Sequence, residues 1–380
     1  MTAARHDVAI VGGGLVGASL AIALDRLGLD VALIEATPAG ALPAVFDQRN
    51  LSFAEATVNA LSALGVMAKL RAPTGAIRRI HVSRAGDFGR ARFDAAGYGR
   101  EAFGQVVVAR DFGEALEARL AELARLIRYR PSRFVGFGDS DGDTRAVRIA
   151  DDAGERVVHA RLVVGADGSQ SGVRDALGIG MVLHDYGQAL FVARLHAEHA
   201  PDGTAWERLG PQGPTALLPR GDRHYGLVHA VDAGEADMVA ALDDAAFLAR
   251  AQAAIGWRVG RLLAVGPRSR HPAMRVVADR LVAPRAVLVG NAAQSLHPIG
   301  AQGFNLGLLL AAHAARRDED RRRTLAFSDG LARLTADGNP LLRPLRSLGL
   351  LALDRVPSLQ AALVGGAMGY RGDVPALCRA

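Results

Sequence analysis

The sequence predicts an α/β protein with two sheet regions and a helical C-terminal part. Three observations support this. An apolar strand, a helix and a second strand follow one another at the N-terminus. The middle of the chain alternates apolar and polar residues between Gly and Pro turns, and the part from Leu331 onward has a helical pattern with Pro and Gly breaks. With 380 residues, half of them hydrophobic, the chain can form two or three domains or lobes.

The individual elements follow from apolar periodicity and from turn residues. The chain opens with a strand over 7–11, a helix over 15–27 and a strand over 31–34. Further helices are predicted over 51–64, over 111–126 with Asp111 as N-cap, and over 243–255. The remaining strands are predicted over 77–83, 145–149, 154–159, 162–164 and 286–289, with an antiparallel sheet over 183–231.

The domain organisation is expected to be discontinuous, because no repeat or low-complexity linker divides the chain. A ligand-binding lobe is predicted over 1–75, 100–180 and 270–330. A sheet lobe is predicted over 76–99 and 181–269, followed by C-terminal helices over 331–380.

Composition excludes several classes of protein. The net charge is +6, but the sequence has no basic stripe interleaved with aromatic residues, so we expect no nucleic-acid partner. Cys378 is the single cysteine, which rules out an intrachain disulfide and favours a reducing cytosol. Neither a signal-peptide pattern nor an apolar run long enough to span a bilayer is present, so a cytoplasmic location is expected.

The first chemical motif is a glycine-rich turn between the first strand and the first helix. Gly12 permits the tight turn, Gly14 lets the backbone approach a pyrophosphate, and Gly17 lets helix and strand pack closely. Glu35 ends the second strand, where an acid accepts hydrogen bonds from a ribose. These residues predict a Rossmann-like dinucleotide-binding unit, but they do not distinguish FAD from NAD.

Two later motifs also follow predicted buried strands. In the first, Asp167 and Gly168 begin an Ala-Asp-Gly-x-x-Ser-x-x-Arg pattern that ends at Arg174. In the second, Gly290 and Asn291 are followed by a Pro- and Gly-rich segment that reaches Gly307. Its glycines allow the backbone to pass against a flat ring, and the N–H groups of the helix that follows can stabilise an anionic reduced flavin.

Together the three motifs resemble the fingerprints of the class A flavoprotein monooxygenases, and the resemblance covers nearly the whole chain. The segments Ile80-His81-Val82-Ser83, Phe88-Gly89, Ala102-Phe103-Gly104 and Gly290-Asn291-Ala292-Ala293-Gln294 narrow it to the hydroxylases of ubiquinone biosynthesis, in particular the bacterial 2-polyprenyl-6-methoxyphenol hydroxylases. The resemblance implies a fold like p-hydroxybenzoate hydroxylase: a Rossmann-like FAD lobe, a mixed or antiparallel-sheet substrate lobe and C-terminal helices.

The resemblance also implies FAD-binding roles for individual residues. Glu35 would bind the adenosine ribose, and Arg49 and Arg110 would lie over the pyrophosphate and ribose. Asp167 would contribute to the FAD site and to the path of NAD(P)H. Asn291 stands where most of the wider family has Asp, near the ribityl-phosphate end of the flavin, and is typical of this subgroup.

Four further residues are implied to surround the flavin ring. Pro298 would lie near the edge where oxygen adds, and Pro298 and Gln302 are the candidate catalytic residues. Gly303 and Asn305 would hold the pyrimidine side of the ring through backbone groups. After Gly307 the chain is shorter than the family pattern. Either the natural protein is trimmed here or residues are missing from the sequence.

The implied activity is FAD- and NAD(P)H-dependent hydroxylation of a polyprenyl phenol in ubiquinone biosynthesis. Two alternatives stay open: a flavin monooxygenase for another aromatic compound, and a non-catalytic flavoprotein-like subunit working with other quinone-biosynthesis proteins. His81, His229 and Tyr225 are candidates, by residue type alone, for a base that activates the phenol. Residues 341–353 are either an amphipathic helix for a partner or for peripheral contact with the inner membrane, or a helix packed on the sheet lobe.

Overall fold

The computed structural model describes residues 4–296, 305, 326 and 343–368, and within them the chain forms three sheets. In the first sheet, β18, β19, β11, β1, β2 and β8 lie side by side, with β10 and β9 continuing from β11. Its strands are β1 (Ala4–Val11), β2 (Val31–Ile34), β8 (Leu126–Tyr129), β9 (Arg133–Phe137), β10 (Arg145–Asp151), β11 (Gly154–Gly165), β18 (Val282–Ala283) and β19 (Ala286–Leu288). Strands β19, β11, β1, β2 and β8 are parallel neighbours in that order.

The second sheet is larger and mostly antiparallel. Its order is β20-β17-β12-β15-β14-β13-β5-β6, and β16 pairs with β12. Its strands are β5 (Arg79–Arg84), β6 (Arg90–Asp94), β12 (Met181–Ala197), β13 (Thr204–Gly210), β14 (Gly213–Pro219), β15 (Tyr225–Asp232), β16 (Leu262–Val265), β17 (Ser269–Ala278) and β20 (Gln294–Ser295). A small third sheet has the order β3 (Asn50–Ala54), β7 (Gly104–Val108) and β4 (Gly75–Ile77).

Helices cover these sheets. They are α1 (Leu15–Arg26), α2 (Glu55–Ala63), α3 (Ala109–Leu120), α4 (Gly172–Ala176), α5 (Ala236–Ala240), α6 (Asp244–Ile255), α7 (Arg343–Arg355) and α8 (Pro357–Ala367). Short 3-10 turns span Met67–Lys69, Ala95–Tyr98, Ala233–Glu235 and Gly290–Ala292. In the described part of the chain no single helix is long and apolar enough to cross a membrane, although the bent pair α7 and α8 passes that test jointly.

The second sheet has two faces with different neighbours, and this difference positions the site. Phe191, Leu217 and Leu227 point to the face that α5 and α6 cover, which we call the outer face. Side chains alternate along a strand, so Ala205, Leu209 and Val228 point the other way. We call this the inner face. It turns toward the third sheet, because a Cβ on Gly226 would lie 2.2 Å from the Asn50 side chain at the start of β3.

The predicted α/β fold with an antiparallel-sheet region is confirmed, but two of the predicted helices have wrong boundaries. The helix predicted over 51–64 starts only at Glu55, because Asn50–Ala54 pairs with β7 as a strand. Asp111 is not an N-cap, since α3 begins at Ala109 and Val108 occupies the cap position. The same helix ends at Leu120, and Leu126–Tyr129 becomes the strand that pairs with β2. In both cases strand pairing with a distant segment overrides helical periodicity.

Candidate functional site

All three glycine-containing motifs lie at one edge of the first sheet. Gly12 follows β1, Ala166 follows β11 and Gly290 lies just beyond β19. The register aligns Val11 with Gly165, and Gly165 with Leu288, so these three parallel strands end side by side. The carboxyl edge of such a sheet is where α/β proteins bind their ligands. Motifs separated by more than a hundred residues therefore form one site.

The glycines of the first motif have different surroundings. A Cβ on Gly17 would lie 1.9 Å from the Gly12 carbonyl oxygen, and a Cβ on Gly12 would lie 2.5 Å from the Ala166 carbonyl oxygen. Gly12 also has a φ of +103°, which disfavours residues with a side chain. A Cβ on Gly14 would meet only Val45, at 3.6 Å. The fold itself therefore explains Gly12 and Gly17. It gives no steric reason for Gly14, whose role beside a pyrophosphate stays a prediction.

Glu35 is held at the end of β2 by the backbone of two neighbouring loops. Its Oε2 atom accepts a hydrogen bond from Gly13 N at 2.7 Å, and its Oε1 atom accepts one from Thr37 N at 2.7 Å. Each carboxylate oxygen keeps a second lone pair, so the group can also accept ribose hydroxyls. The predicted ribose-binding role fits this placement.

Both arginines predicted near the pyrophosphate are connected to Asp47. The Arg49 guanidinium makes a bidentate ion pair with the Asp47 carboxylate, with an Nη2–Oδ2 distance of 2.7 Å. Arg110 N donates to the Asp47 carbonyl oxygen at 2.9 Å, while the exposed Arg110 side chain lies 3.4 Å from Glu114. Burial alone would raise the pKa of Asp47, but hydrogen bonds from Arg49 lower it overall. Sequence reasoning missed Asp47, although an acid two residues before Arg49 was a usable signal.

His271 also lies beside Arg49 and Asp47, and it was not predicted from the sequence. It lies on β17 opposite Leu190, on the inner face of the second sheet. Burial lowers its pKa, and the positive charge of Arg49 lowers it further. The imidazole is therefore held in its neutral form beside the Arg49–Asp47 pair.

The second motif ties the first to the third. Asp167 accepts hydrogen bonds from Ser171 Oγ at 2.5 Å and Val173 N at 3.0 Å, which orders the start of α4. Arg174 is buried and donates to the carbonyl oxygens of Ser169 at 3.0 Å and Ala292 at 3.2 Å. Arg174 thus fixes the turn that carries Asn291, Asp167 orders the start of the helix that carries Arg174, and a direct role of Asp167 toward FAD or NAD(P)H stays a prediction.

The third motif is described at its two ends. Gly290 has a φ of +58° and packs against Val16 of α1, and Asn291 is exposed. Asn305 is buried, accepts a hydrogen bond from Ala54 N at 2.9 Å and donates one to the Ser52 carbonyl oxygen at 3.0 Å. It therefore joins the end of this motif to β3, through its side chain. Pro298, Gln302, Gly303 and the shortened stretch after Gly307 lie outside the described residues.

The three proposed base candidates do not face the site. Tyr225 and His229 belong to the outer face, where His229 is buried beneath Phe247 of α6 and bonds Thr215 Oγ1 at 2.8 Å. Burial lowers the pKa of His229 to about 4, as expected for a neutral core imidazole. His81 stacks on Trp206, which packs with the same outer cluster. Residue type alone could not show which face each strand residue takes.

A carboxylic acid that the sequence analysis did not single out does point to the inner face. Glu207 lies on β13 between Ala205 and Leu209 and is paired with Ala216 of β14. It remains partly accessible, yet burial raises its pKa to about 7. The alternating pattern Thr-Ala-Trp-Glu-Arg-Leu was the available signal, because it places one acid among small and apolar residues on one strand face.

These residues fit a bound FAD. Gly14 leaves space for a pyrophosphate next to the backbone, Glu35 has free lone pairs for the ribose, and Arg49 supplies positive charge. The inner face of the second sheet carries apolar residues that pack together with the third sheet. The fold and the site thus define an FAD-binding flavoprotein with a separate substrate lobe.

Comparisons with known proteins agree with this arrangement. Residues 5–316 match the family described as FAD binding domain. The chain is 32% identical to the ubiquinone hydroxylase UbiL of Rhodospirillum rubrum, over 96% of this chain and 89% of that protein. It is 28% identical to the 3-demethoxyubiquinol 3-hydroxylase of Escherichia coli, over 97% of this chain and all (100%) of that protein. The chain belongs to the FAD-dependent class A monooxygenases, in the family of ubiquinone hydroxylases.

Solved structures of low identity share the fold. The p-nitrophenol 4-monooxygenase PnpA of Pseudomonas putida aligns with a TM-score of 0.76 at 17% identity, covering 97% of this chain and 99% of that one. PqsL, a probable FAD-dependent monooxygenase of Pseudomonas aeruginosa, aligns with a TM-score of 0.67 at 23% identity, covering 94% and 99%. The fold expected from the three motifs is therefore confirmed over nearly the whole chain.

Proposed function

We propose that this protein is an NAD(P)H-using FAD monooxygenase that hydroxylates the aromatic ring of a polyprenyl phenol in ubiquinone biosynthesis. The observation that supports this best is the meeting of three motifs at the carboxyl edge of one parallel sheet, with an apolar sheet face on the substrate side. The ubiquinone hydroxylases among its relatives supply the substrate class.

Bound FAD would supply the redox chemistry: NAD(P)H and O2 are consumed, one oxygen atom enters the ring as a hydroxyl group, and the other leaves as water. The protein's own residues bind and orient. Glu35 would hold the ribose, Arg49, oriented by Asp47, would donate N–H groups to the pyrophosphate, and Arg174 fixes the Gly290–Ala292 turn. Asn305 sets the position of β3 relative to the third motif.

The inner face would exclude water from the reacting ring. Its core includes Phe93, Phe103 and Val106, against which Leu350 and Leu353 of α7 pack. Such an apolar wall suits a ring that carries a hydrocarbon tail. We therefore propose that the prenyl tail runs along this face toward α7 and α8.

We also propose a cytoplasmic protein with peripheral contact to the inner membrane through α7 and α8. Leu345, Leu348 and Leu359 are all at least half exposed on these helices, at 68%, 58% and 50%. Exposed leucines beside the path proposed for the tail would let a lipid-dissolved substrate enter. Other quinone-biosynthesis proteins are proposed partners on the same basis.

The test is phenol-stimulated turnover. Oxidation of NADPH by the FAD-loaded protein is followed with a 2-prenylphenol, with the untailed phenol and with no phenol, and the products are identified by mass spectrometry. The proposal predicts that the tailed phenol stimulates NADPH oxidation most and is hydroxylated. Hydroxylation of only the untailed phenol would favour a monooxygenase for another aromatic compound, and failure to bind FAD would favour a non-catalytic subunit.

A further inference from the structure

Glu207 is an acidic side chain whose nearest neighbours on the same face of the sheet are apolar. On its own strand its same-face neighbours are Ala205 and Leu209, both buried. On the adjoining strands it is paired with Val82 of β5 and Ala216 of β14. No hydrogen bond or ion pair holds its carboxyl group among the described residues. An unpartnered carboxyl group in such a position costs stability when it is ionised, and such groups are common at functional sites.

The position of Glu207 is in the substrate lobe and not in the FAD lobe. Ala205 belongs to the cluster with Phe103 and Val106, which joins the inner face to the third sheet. The third sheet is in turn joined to the flavin-loop motif through Asn305. Glu207 therefore faces the region between the second sheet and the flavin-binding residues, where a phenol must lie to be hydroxylated.

We propose, resting on the function proposed above, that Glu207 is the catalytic base that accepts the hydroxyl proton of the bound phenol. The phenol O–H bond breaks, the proton passes to a carboxylate oxygen of Glu207, and the electron pair stays on the phenolate oxygen. The ring becomes more electron-rich and attacks the oxidant more readily. The proton then leaves to water, since Glu207 is partly accessible.

The proton affinity of Glu207 suits this task. Burial raises its pKa from the ordinary 4.5 to about 7, and no charged neighbour contributes to the shift. A phenol has a pKa of about 10, so the shifted carboxylate is a much better acceptor than an ordinary one while it is still ionised near neutral pH.

Other polar and charged groups of the inner face have partners of their own. Arg84 lies opposite Leu209 and is ion-paired with Asp87 at 3.7 Å, and Arg346 of α7 reaches the same carboxylate at 3.6 Å. Tyr186 packs on Leu209 and makes an edge contact with the His184 ring. His271 also faces inward, but its Nε2 atom lies 3.2 Å from Ser269 Oγ, and its ring lies beside the Arg49–Asp47 pair. We therefore assign acceptance of the phenol hydroxyl proton to Glu207.

The test uses Glu207→Gln in the FAD-loaded protein with a 2-prenylphenol as probe. Hydroxylation is expected to slow by about 100-fold or more, the usual contribution of a general base. Flavin reduction by NADPH should be unchanged, since no phenol proton moves in that step. Glu155→Gln, at an exposed surface carboxylate, is the matched control and should behave as wild type.

A pH profile separates proton acceptance from a structural role. The wild-type hydroxylation rate should rise with pH as Glu207 ionises, with a midpoint near 7. Glu207→Gln should lose this rise, while its slow hydroxylation should increase only at higher pH, where the phenol ionises by itself. Glu207→Leu, which matches the apolar neighbours and cannot accept a proton, serves the same test if the Gln variant does not retain FAD.

The outcomes are distinguishable. An unchanged rise in rate near pH 7 in an FAD-loaded Glu207 variant, or hydroxylation by it at the wild-type rate, overturns the assignment of Glu207 while the proposed function stands. Wild type that binds the phenol and never hydroxylates it overturns the proposed function, and with it the role of Glu207 that rests on it.

Discussion

Replacing Gly14 by Ala is expected to weaken FAD binding without unfolding the protein. The new Cβ would meet only Val45, at 3.6 Å, an ordinary van der Waals distance. Gly14 is the N-cap of α1 with φ −70° and ψ −167°, a conformation that Ala also adopts. Loss of glycine at an N-cap costs less than about 1 kcal/mol. The methyl group would instead occupy the space that the pyrophosphate needs, and we expect at least a tenfold rise in Kd, or about 1.4 kcal/mol.

The matched control is Gly17→Ala in the same motif. Its Cβ would lie 1.9 Å from the Gly12 carbonyl oxygen, so backbone must move and the FAD-free protein itself is destabilised. The FAD-free variants are titrated with FAD by flavin fluorescence and unfolded with denaturant. The reasoning fails if Gly14→Ala binds FAD as tightly as wild type, or if it is as unstable as Gly17→Ala.

Three further substitutions test the roles of individual side chains. Asn305→Ala leaves a buried N–H group and a partly buried carbonyl group of β3 without their side-chain partner. It should lower the free energy of unfolding by about 2 kcal/mol or more in denaturant titrations; an unchanged midpoint would show that the contact contributes no stability. Arg174→Lys loses the pair of hydrogen bonds to the carbonyl oxygens of Ser169 and Ala292, and should raise the Kd for FAD about tenfold in the flavin-fluorescence titration; wild-type affinity would contradict this. Because burial raises the pKa of folded Glu207 to about 7, the folded state holds this proton more tightly, and stability falls as the pH rises from 4.5 through 7. Glu207→Gln should therefore be up to about 3 kcal/mol more stable than wild type well above pH 7, with no such gain below pH 4.5; an equal gain at both extremes would argue against the shifted carboxyl.

Local sequence was enough to predict the elements whose residues interact with their neighbours in the chain. The strand, turn and helix around Gly12 are specified within about thirty residues, and Glu35 follows from the same unit. Leu126 was wrongly predicted as helical for the opposite reason, because its strand forms only by pairing with β2 nearly a hundred residues earlier. The strand Asn50–Ala54 was not predicted for the same reason, since distant β7 and Asn305 supply its hydrogen bonds.

The residues of the candidate site differ in the same way, between those in local motifs and those that depend on distant contacts. Gly14, Glu35 and Asp167 could be proposed because each belongs to a short motif with its own chemistry. Asp47 and Glu207 could not, because their significance depends on partners and on a strand face that only the folded chain defines. The contact from Arg174 to Ala292 shows how two motifs recognised separately become one structural unit.

The central claim is that this flavoprotein inserts oxygen into a prenylated phenol, and labelled O2 tests it most directly. The FAD-loaded protein is incubated with NADPH, isotopically labelled O2 and a 2-prenylphenol, and the phenol is recovered for mass spectrometry. The predicted product carries one labelled oxygen atom on the ring for each phenol hydroxylated. Consumption of NADPH that yields only hydrogen peroxide and unlabelled, unchanged phenol would contradict the claim.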